Sequence, residues 1–220
     1  MNTTILKIIR FSALTLFVIV TALDCILVKK KGNRYLTKPL LMPLLLIFYL
    51  LNTRQINLFI VLALVFSFLG DVFLLITNKK NFFILGLLSF LMCHIFYTIT
   101  FLQSVNYMKG MPSNVYLFLI PYLICGTFVY ADLSKYLKSM KIPVIIYMGV
   151  ILTMSFTALA RYYYVSPISF VLPFIGSILF VVSDTLIAYR NFKQKVTSDN
   201  ILIMLSYILA QLLIIVGIIL

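Results

Sequence analysis

Residues 66–81 read FSFLGDVFLLITNKKN. Gly70 and Asp71 interrupt an otherwise apolar run, which closes on the lysine pair Lys79 and Lys80. Such a run belongs in hydrocarbon, yet an Asp at the centre of a membrane helix costs roughly 2.5–3.5 kcal/mol, and somewhat less toward an interface. The chain has five acidic residues, all of them Asp, and Asp24, Asp71 and Asp184 share this apolar setting. Acids placed in this way do not solvate a surface.

The rest of the chain has the same character. Of 220 residues, 63% are hydrophobic and 10% charged, whereas a soluble domain carries roughly a quarter charged residues. Mean hydropathy is +1.13. Repeated apolar stretches of about 20 residues are what a bilayer core requires. The expected fold is therefore an all-α integral membrane protein, a bundle of about eight transmembrane helices. It forms a single transmembrane domain over residues 1–220, with no loop long enough for a second. The expected location is the cell membrane. A net charge of +13 raises nucleic acid as a partner, but the basic residues sit in short gaps between apolar runs. That placement fits anionic lipid headgroups and topology signals, so membrane lipids and no nucleic acid are expected. Oligomeric state is not legible. Cys25, Cys93 and Cys125 form no CxxC pair and lie inside apolar segments. Buried thiols are expected, without a disulfide framework or a zinc site. Lys7 and Arg10 ahead of FSALTLFVIVTAL resemble a signal peptide, but no small-x-small site closes the run and Asp24 and KKK follow. A retained first helix is the expectation.

Hydropathy places the segments near 9–28, 37–52, 56–77, 82–106, 114–131, 142–160, 167–189 and 200–220. The second is short, starts at Lys38-Pro39 and contains Pro43, which leaves it tilted, kinked or partly re-entrant. Pro43 and Pro173 each remove a backbone hydrogen bond unless they stand near a helix end. Of the basic residues, only Lys7, Arg10, Arg54, Lys109 and Arg161 lie outside the gaps that follow segments 1, 3, 5 and 7. Those odd gaps are expected to face the cytoplasm, with both termini outside and Tyr162, Tyr163 and Tyr164 in the outer interfacial belt.

This topology bears on Asp71. Asp24, Asp71 and Asp184 each precede a basic gap by five to eight residues. At about 1.5 Å rise per residue, all three fall roughly 7–12 Å inside the cytoplasmic face. A common polar cavity accounts for that shared depth more simply than coincidence does. FSFLGDVFLLI (66–76) and ILFVVSDTLIA (178–188) also echo one another, as two parallel four-helix halves would.

Other polar groups fall on helical stripes. Ser67 and Asp71 are four apart; Gly86, Phe90, Cys93 and Tyr97 line one face with His94 beside it. Asn200, Met204, Tyr207 and Gln211 form another, and Thr153, Thr157 and Arg161 a third. Two readings compete for each. An intramembrane Asp can be glue between helices, paired with Lys or Arg or hydrogen-bonded across them, and Asp24 can snorkel toward KKK. A lone intramembrane His is usually a packing residue. Asp132 and Asp199 read as plain loop residues. No GxSxG elbow, HExxH helix or glycine-rich phosphate loop is present. One His with scattered Asp makes a poor zinc site, although a His with two Asp can hold a divalent ion. Two carboxyls in different surroundings suit acid catalysis, since one can stay protonated while the other stays ionised.

The set Lys38-Pro39-Leu40, Leu69-Gly70-Asp71-Val72, Phe90 with His94 and Tyr97, Phe180 with Ser183-Asp184, and Tyr207 with Gln211 resembles the YhhN-like lysoplasmalogenase family. The resemblance runs in order along nearly the whole chain. It implies hydrolysis of the vinyl ether bond of lysoplasmalogens, a class of lysophospholipid, to a fatty aldehyde and glycerophospho-ethanolamine or -choline. No cofactor and no metal are implied. The implied catalytic residues are Asp71 and Asp184 with His94 and Tyr97. The implied substrate-binding residues are Lys38, which would meet the phosphate, with Gly70, Ser183, Tyr207 and Gln211. Asp24 has no counterpart in the quoted motifs.

The chemistry fits such a set. Vinyl ether hydrolysis begins with protonation of the carbon beyond the ether linkage, and the oxocarbenium ion adds water to give a hemiacetal that collapses. One carboxylic acid donates the proton, and one carboxylate stabilises the cation or orients water, as in glycosidases. Two alternatives stand beside this reading: a small-molecule or proton-coupled transporter whose acids carry protons, and a hydrolase of another lysolipid. The topology is tested directly. A cysteine introduced into the 29–38 gap should resist an impermeant thiol reagent applied from outside; ready labelling would invert the orientation.

Overall fold

The computed structural model describes residues 3–30, 32–76, 80–105, 112–193 and 200–220. The loop residues Lys31, Lys79, Lys109, Lys195 and Asp199, and the expected segment ends at 77 and 106, lie outside these. The chain folds as two compact units, residues 1–97 with Ile219 and residues 98–218 with Leu220. Among the described residues there are eight α-helices and no strand. The first unit comprises α1 (Thr3–Lys29), α2 (Thr37–Asn52), α3 (Leu58–Leu75) and α4 (Lys80–Gln103) as far as Tyr97. The second holds the end of α4, then α5 (Leu119–Leu133), α6 (Lys141–Ala160), α7 (Pro167–Ala188) and α8 (Asn200–Ile219).

Among the described residues, seven helices are long and apolar enough to cross a membrane, and α2 is the short one. Its 16 residues reach about 24 Å at 1.5 Å per residue, less than the roughly 30 Å of a hydrocarbon core. Large apolar side chains stand outward along the spans; Leu123 is 65% and Phe128 73% exposed. In water such a surface would aggregate, and in lipid it is the ordinary condition. The molecule is a multi-pass membrane protein.

In the first unit, α1 and α2 form a hairpin tied at both ends. Arg10 Nε donates to the Leu51 carbonyl at 2.7 Å, satisfying one of the acceptors that the last turn of α2 leaves open. At the opposite end, Arg34 and Thr37 donate to Asp24 of α1. The α2–α3 turn is closed by Asn57. Its side chain caps α3 by accepting from Phe59 N at 2.9 Å, and its backbone N–H donates to the Tyr49 hydroxyl at 2.8 Å. Pro43 stands inside α2.

The second unit begins more irregularly than the hydropathy implies. The expected segment from 114 enters as a 3₁₀ stretch, Ser113–Phe118, and the α-helix proper starts at Leu119. Pro121, with no N–H to donate, is tolerated there because it falls in the first turn. Ser166 caps α7 ahead of Pro167, its hydroxyl accepting from Ser169 N at 3.2 Å. Against α8, α7 approaches closely at Gly176, where a Cβ would lie 2.8 Å from the Ala210 carbonyl oxygen and 3.2 Å from Ile214 N. Small residues at such crossings are how membrane helices gain packing energy without a hydrophobic driving force. Past Ala188, α7 widens into a π-helical turn, Tyr189–Lys193.

Two expectations are corrected here. Cys93 is buried and Cys25 half-buried, but Cys125 is exposed, on the outward side of α5. Asp132 is no plain loop residue. It ends α5 and receives the Lys193 ammonium on both oxygens, at 2.7 and 2.6 Å, beneath the Tyr136 and Tyr189 rings.

The α7–α8 crossing predicts a contrast. Gly176→Ala should destabilise the protein by about 1–3 kcal/mol, the usual range for overpacking, since backbone atoms of α8 would have to move. Gly149→Ala, with nothing within 4 Å of the new methyl, should leave stability unchanged or raise it by up to about 1 kcal/mol through helix propensity. Thermal unfolding of the two variants in one detergent checks the pair.

Candidate active site

The first unit gathers its polar side chains around two buried carboxyls. Asp24 and Asp71 are 0% and 1% exposed. Asp24 does not snorkel toward Lys29 and Lys30. Arg34 meets it through both Nε, at 3.1 Å, and Nη2, and Thr37 Oγ1 donates to Oδ1. A forked guanidinium–carboxylate pair of this kind is strong and fixes orientation as well as charge. The consequence falls on the next residue. With Arg34 and Thr37 held to α1, Lys38 begins α2 where its Nζ lies 3.1 Å from Asp71 Oδ1 on α3. Burying one of these charges alone would be expensive, and together they satisfy each other.

Around Asp71 the expected stripe is assembled. Gly70 lets α4 approach so closely that a Cβ would lie 2.7–2.9 Å from the Phe90 ring. One turn before Asp71, Ser67 donates to Cys93 Sγ at 2.9 Å. Phe90, Cys93, His94 and Tyr97 are all buried on α4. Phe90 covers Gly70, so this glycine serves close packing of α3 on α4.

The second unit builds a comparable setting. Asp184 on α7 accepts a hydrogen bond from the Tyr147 hydroxyl on α6, and it is half-buried beside a cavity between α5, α6 and α7. Ser183 is fully buried and donates to the Ile203 carbonyl of α8 at 3.0 Å. Its hydroxyl therefore ties α7 to α8. Phe180 meets Tyr207 edge to face at 5.5 Å, and Gln211 is fully buried one turn further along α8.

The two units repeat an arrangement. Each acid takes a polar partner from the preceding helix, Lys38 or Tyr147. The residue before each acid packs on the following helix, Gly70 on Phe90 and Ser183 on Ile203. Both of these packing pairs are 20 residues apart. The third stripe is not reproduced: Thr153 is exposed, and Thr153 and Thr157 donate back to carbonyls of their own helix. Arg161 is buried with its guanidinium 5.3 Å from the Phe101 ring centroid.

Sequence reasoning missed Arg34, Thr37 and Tyr147. Arg34 reads as a loop residue and Thr37 as the start of the second segment, and neither shows its partner because Asp24 lies across a turn. Tyr147 carried a weak signal, a phenol inside the apolar run KIPVIIYMGVIL, since a buried tyrosine hydroxyl usually finds a partner.

The fold and these acids define a class: a polytopic helical membrane protein with carboxyls held inside its spans. The sequence profile of the YhhN family matches residues 33–218, and the chain belongs to that family. The match includes Arg34, Thr37, Lys38, Asp71 and Asp184, and begins after Asp24. No curated protein and no solved structure matches the chain.

The Lys38–Asp71 pair predicts a non-additive cycle. Lys38→Met should cost about 2–3 kcal/mol, below the 3–5 kcal/mol of a fully buried pair because Lys38 keeps some exposure. Lys38→Met with Asp71→Asn should recover much of that loss. Unfolding midpoints of the four proteins test it, and strict additivity would mean that the two charges do not interact.

Proposed function

We propose that this protein is a membrane-embedded lysoplasmalogenase. It hydrolyses the vinyl ether bond of a lysoplasmalogen to a fatty aldehyde and glycerophospho-ethanolamine or -choline, in the cell membrane. Membership of the YhhN family supports a hydrolase, and the resemblance of the motifs supports this bond. The observation that carries the reading is the difference between the two acids: Asp71 is buried and ion-paired with Lys38, and Asp184 is half-buried beside a cavity, where it accepts from the Tyr147 hydroxyl.

That difference supports a division of roles. In its acid form the Asp184 carboxyl transfers its proton to the double-bond carbon farther from the ether oxygen, and the electron pair of the double bond forms the new C–H bond. The ether oxygen then shares the positive charge of the oxocarbenium ion. The Asp71 carboxylate, paired with Lys38, stabilises that cation and takes a proton from the water that adds. As the hemiacetal breaks its carbon–oxygen bond to the glycerol, its hydroxyl gives up a proton to the spent acid and the leaving oxygen takes the proton gained by the base. The alcohol leaves, the aldehyde remains and both carboxyls regain their starting forms. Two carboxyls acting as acid and base are the economy of glycoside hydrolysis.

The other residues take supporting parts. His94 and Tyr97 orient the water or the acid from α4. Lys38 has further ammonium protons for the lipid phosphate while it holds Asp71. Tyr207 and Gln211 line the substrate's path from α8, while Gly70 and Ser183 position the acids beside them.

The test is aldehyde release from a defined lysoplasmalogen by the purified protein, with the ester-linked lysolipid as control. Asp71→Asn and Asp184→Asn should each lower kcat by about 10²–10⁴, the range of general acid–base catalysis, while the protein stays folded. Full activity in either variant removes that acid from the mechanism. Fatty acid from the ester with no aldehyde would assign another lysolipid, and silence on both would end the hydrolase reading.

A further inference from the structure

Arg10, Arg34, Lys38 and Lys193 each meet an acceptor inside the protein: the Leu51 carbonyl, Asp24, Asp71 and Asp132 in turn. Arg161 is buried more deeply than any of these, 4% exposed. Among the described residues, however, nothing bonds its Nε or Nη1. Those two nitrogens carry three N–H donors. The guanidinium stands 5.3 Å from the centroid of the fully buried Phe101 ring. That ring attracts the charge but has no lone pair for the N–H groups. A buried charge whose donors meet no acceptor is a costly arrangement, and it points to an acceptor that comes from outside the chain.

The position of Arg161 says which acceptor. The residue follows the last turn of α6 and opens the turn into α7. Beside it Tyr162 and Tyr163 are exposed. Tyr162 meets Phe170 of α7 edge to face at 5.1 Å, and the Tyr163 hydroxyl accepts from Asn114 Nδ2 at 3.0 Å. Exposed tyrosines at the end of a span mark the level of the lipid headgroups, where phosphate is the prevailing anion. The start of α7 does not supply the site, since Ser166 already caps it.

We infer that Arg161 holds a phosphate group at this end of α6 and α7, separate from the proposed substrate. Planar guanidinium donors match phosphate oxygens better than any other cationic side chain does. Tyr147, the donor to Asp184, lies 14 residues earlier on α6, about 21 Å away at 1.5 Å per residue. Only a glycerol unit separates the vinyl ether of a lysolipid from its phosphate, so a lipid reacting at Asp184 does not reach Arg161. The phosphate is that of a neighbouring anionic phospholipid or a free ion, and both present the same oxygens.

The test uses the full chain, purified in dodecyl maltoside and stripped of lipid. Radiolabelled inorganic phosphate is counted by equilibrium dialysis, and retained dioleoylphosphatidylglycerol by native mass spectrometry. One equivalent per chain should bind in at least one arm. Arg161→Met should weaken that binding about tenfold or more, the worth of one charged hydrogen bond. Arg54→Met, which removes an exposed cation, should leave it unchanged. If Arg161→Met fails to fold, Arg161→Lys keeps the charge without the planar fork and should weaken binding severalfold.

Binding of the lipid without the free ion assigns a headgroup, and the reverse assigns the ion; both keep the site. Where both bind, each should displace the other. No equivalent in either arm overturns the inference. So does binding that survives both Arg161 substitutions, or displacement of bound phosphate by chloride at equal concentration, which would make Arg161 a general counter-charge. Aldehyde release is not part of the readout, so the enzyme reading and this site stand or fall separately.

Discussion

A carboxylate taken out of water must be met by a cation or by several hydrogen bonds, and the first unit is arranged around that constraint. Asp24 is answered by Arg34 and Thr37, and Asp71 by Lys38. These three partners stand within a short stretch of chain, so one local conformation serves both acids. Holding residues 34–37 against α1 fixes where α2 starts, and this places the Lys38 ammonium on α3. Asp24 thus bears on Asp71 indirectly. Its effect is carried by the chain between Arg34 and Lys38, where Lys38 N also donates to the Arg34 carbonyl at 3.2 Å.

The second unit solves a related problem with weaker bonds. Asp184 is less deeply buried than Asp71, and a tyrosine hydroxyl is its donor from α6. At the end of the unit Lys193, in the π-helical turn after α7, reaches Asp132. Such turns disturb the regular ladder and recur near functional sites. Here the wider turn carries the chain from the acid-bearing helix back to the end of α5.

Much of the fold was legible because bilayer physics is severe. Spans that must satisfy their own backbone in lipid show as apolar runs, and the segments read from hydropathy lie within a few residues of most observed helices. The entry to α5 departs from its run: the chain enters as the 3₁₀ stretch Ser113–Phe118, and the α-helix starts at Leu119, with Pro121 in its first turn. The stripe of Phe90, Cys93, His94 and Tyr97 was legible through helical periodicity, which brings residues three and four apart onto one face. Thr153 fails on the same principle, since periodicity says which residues share a face and not which face meets a neighbour.

By itself, the sequence determined that this is a multi-pass helical membrane protein of the YhhN family, and that Asp71 and Asp184 needed company. The membrane architecture and the acids' need follow from the cost of polar groups in hydrocarbon, and the family from the match of its sequence profile. Only the tertiary structure decided what that company is. Lys38, Arg34 and Tyr147 reach their acids across helix pairs, and a meeting between helices depends on crossing and register that no single helix encodes. The same holds for Cys125, apolar by its surroundings in sequence yet exposed on α5, because packing decides which face of a helix meets a neighbour.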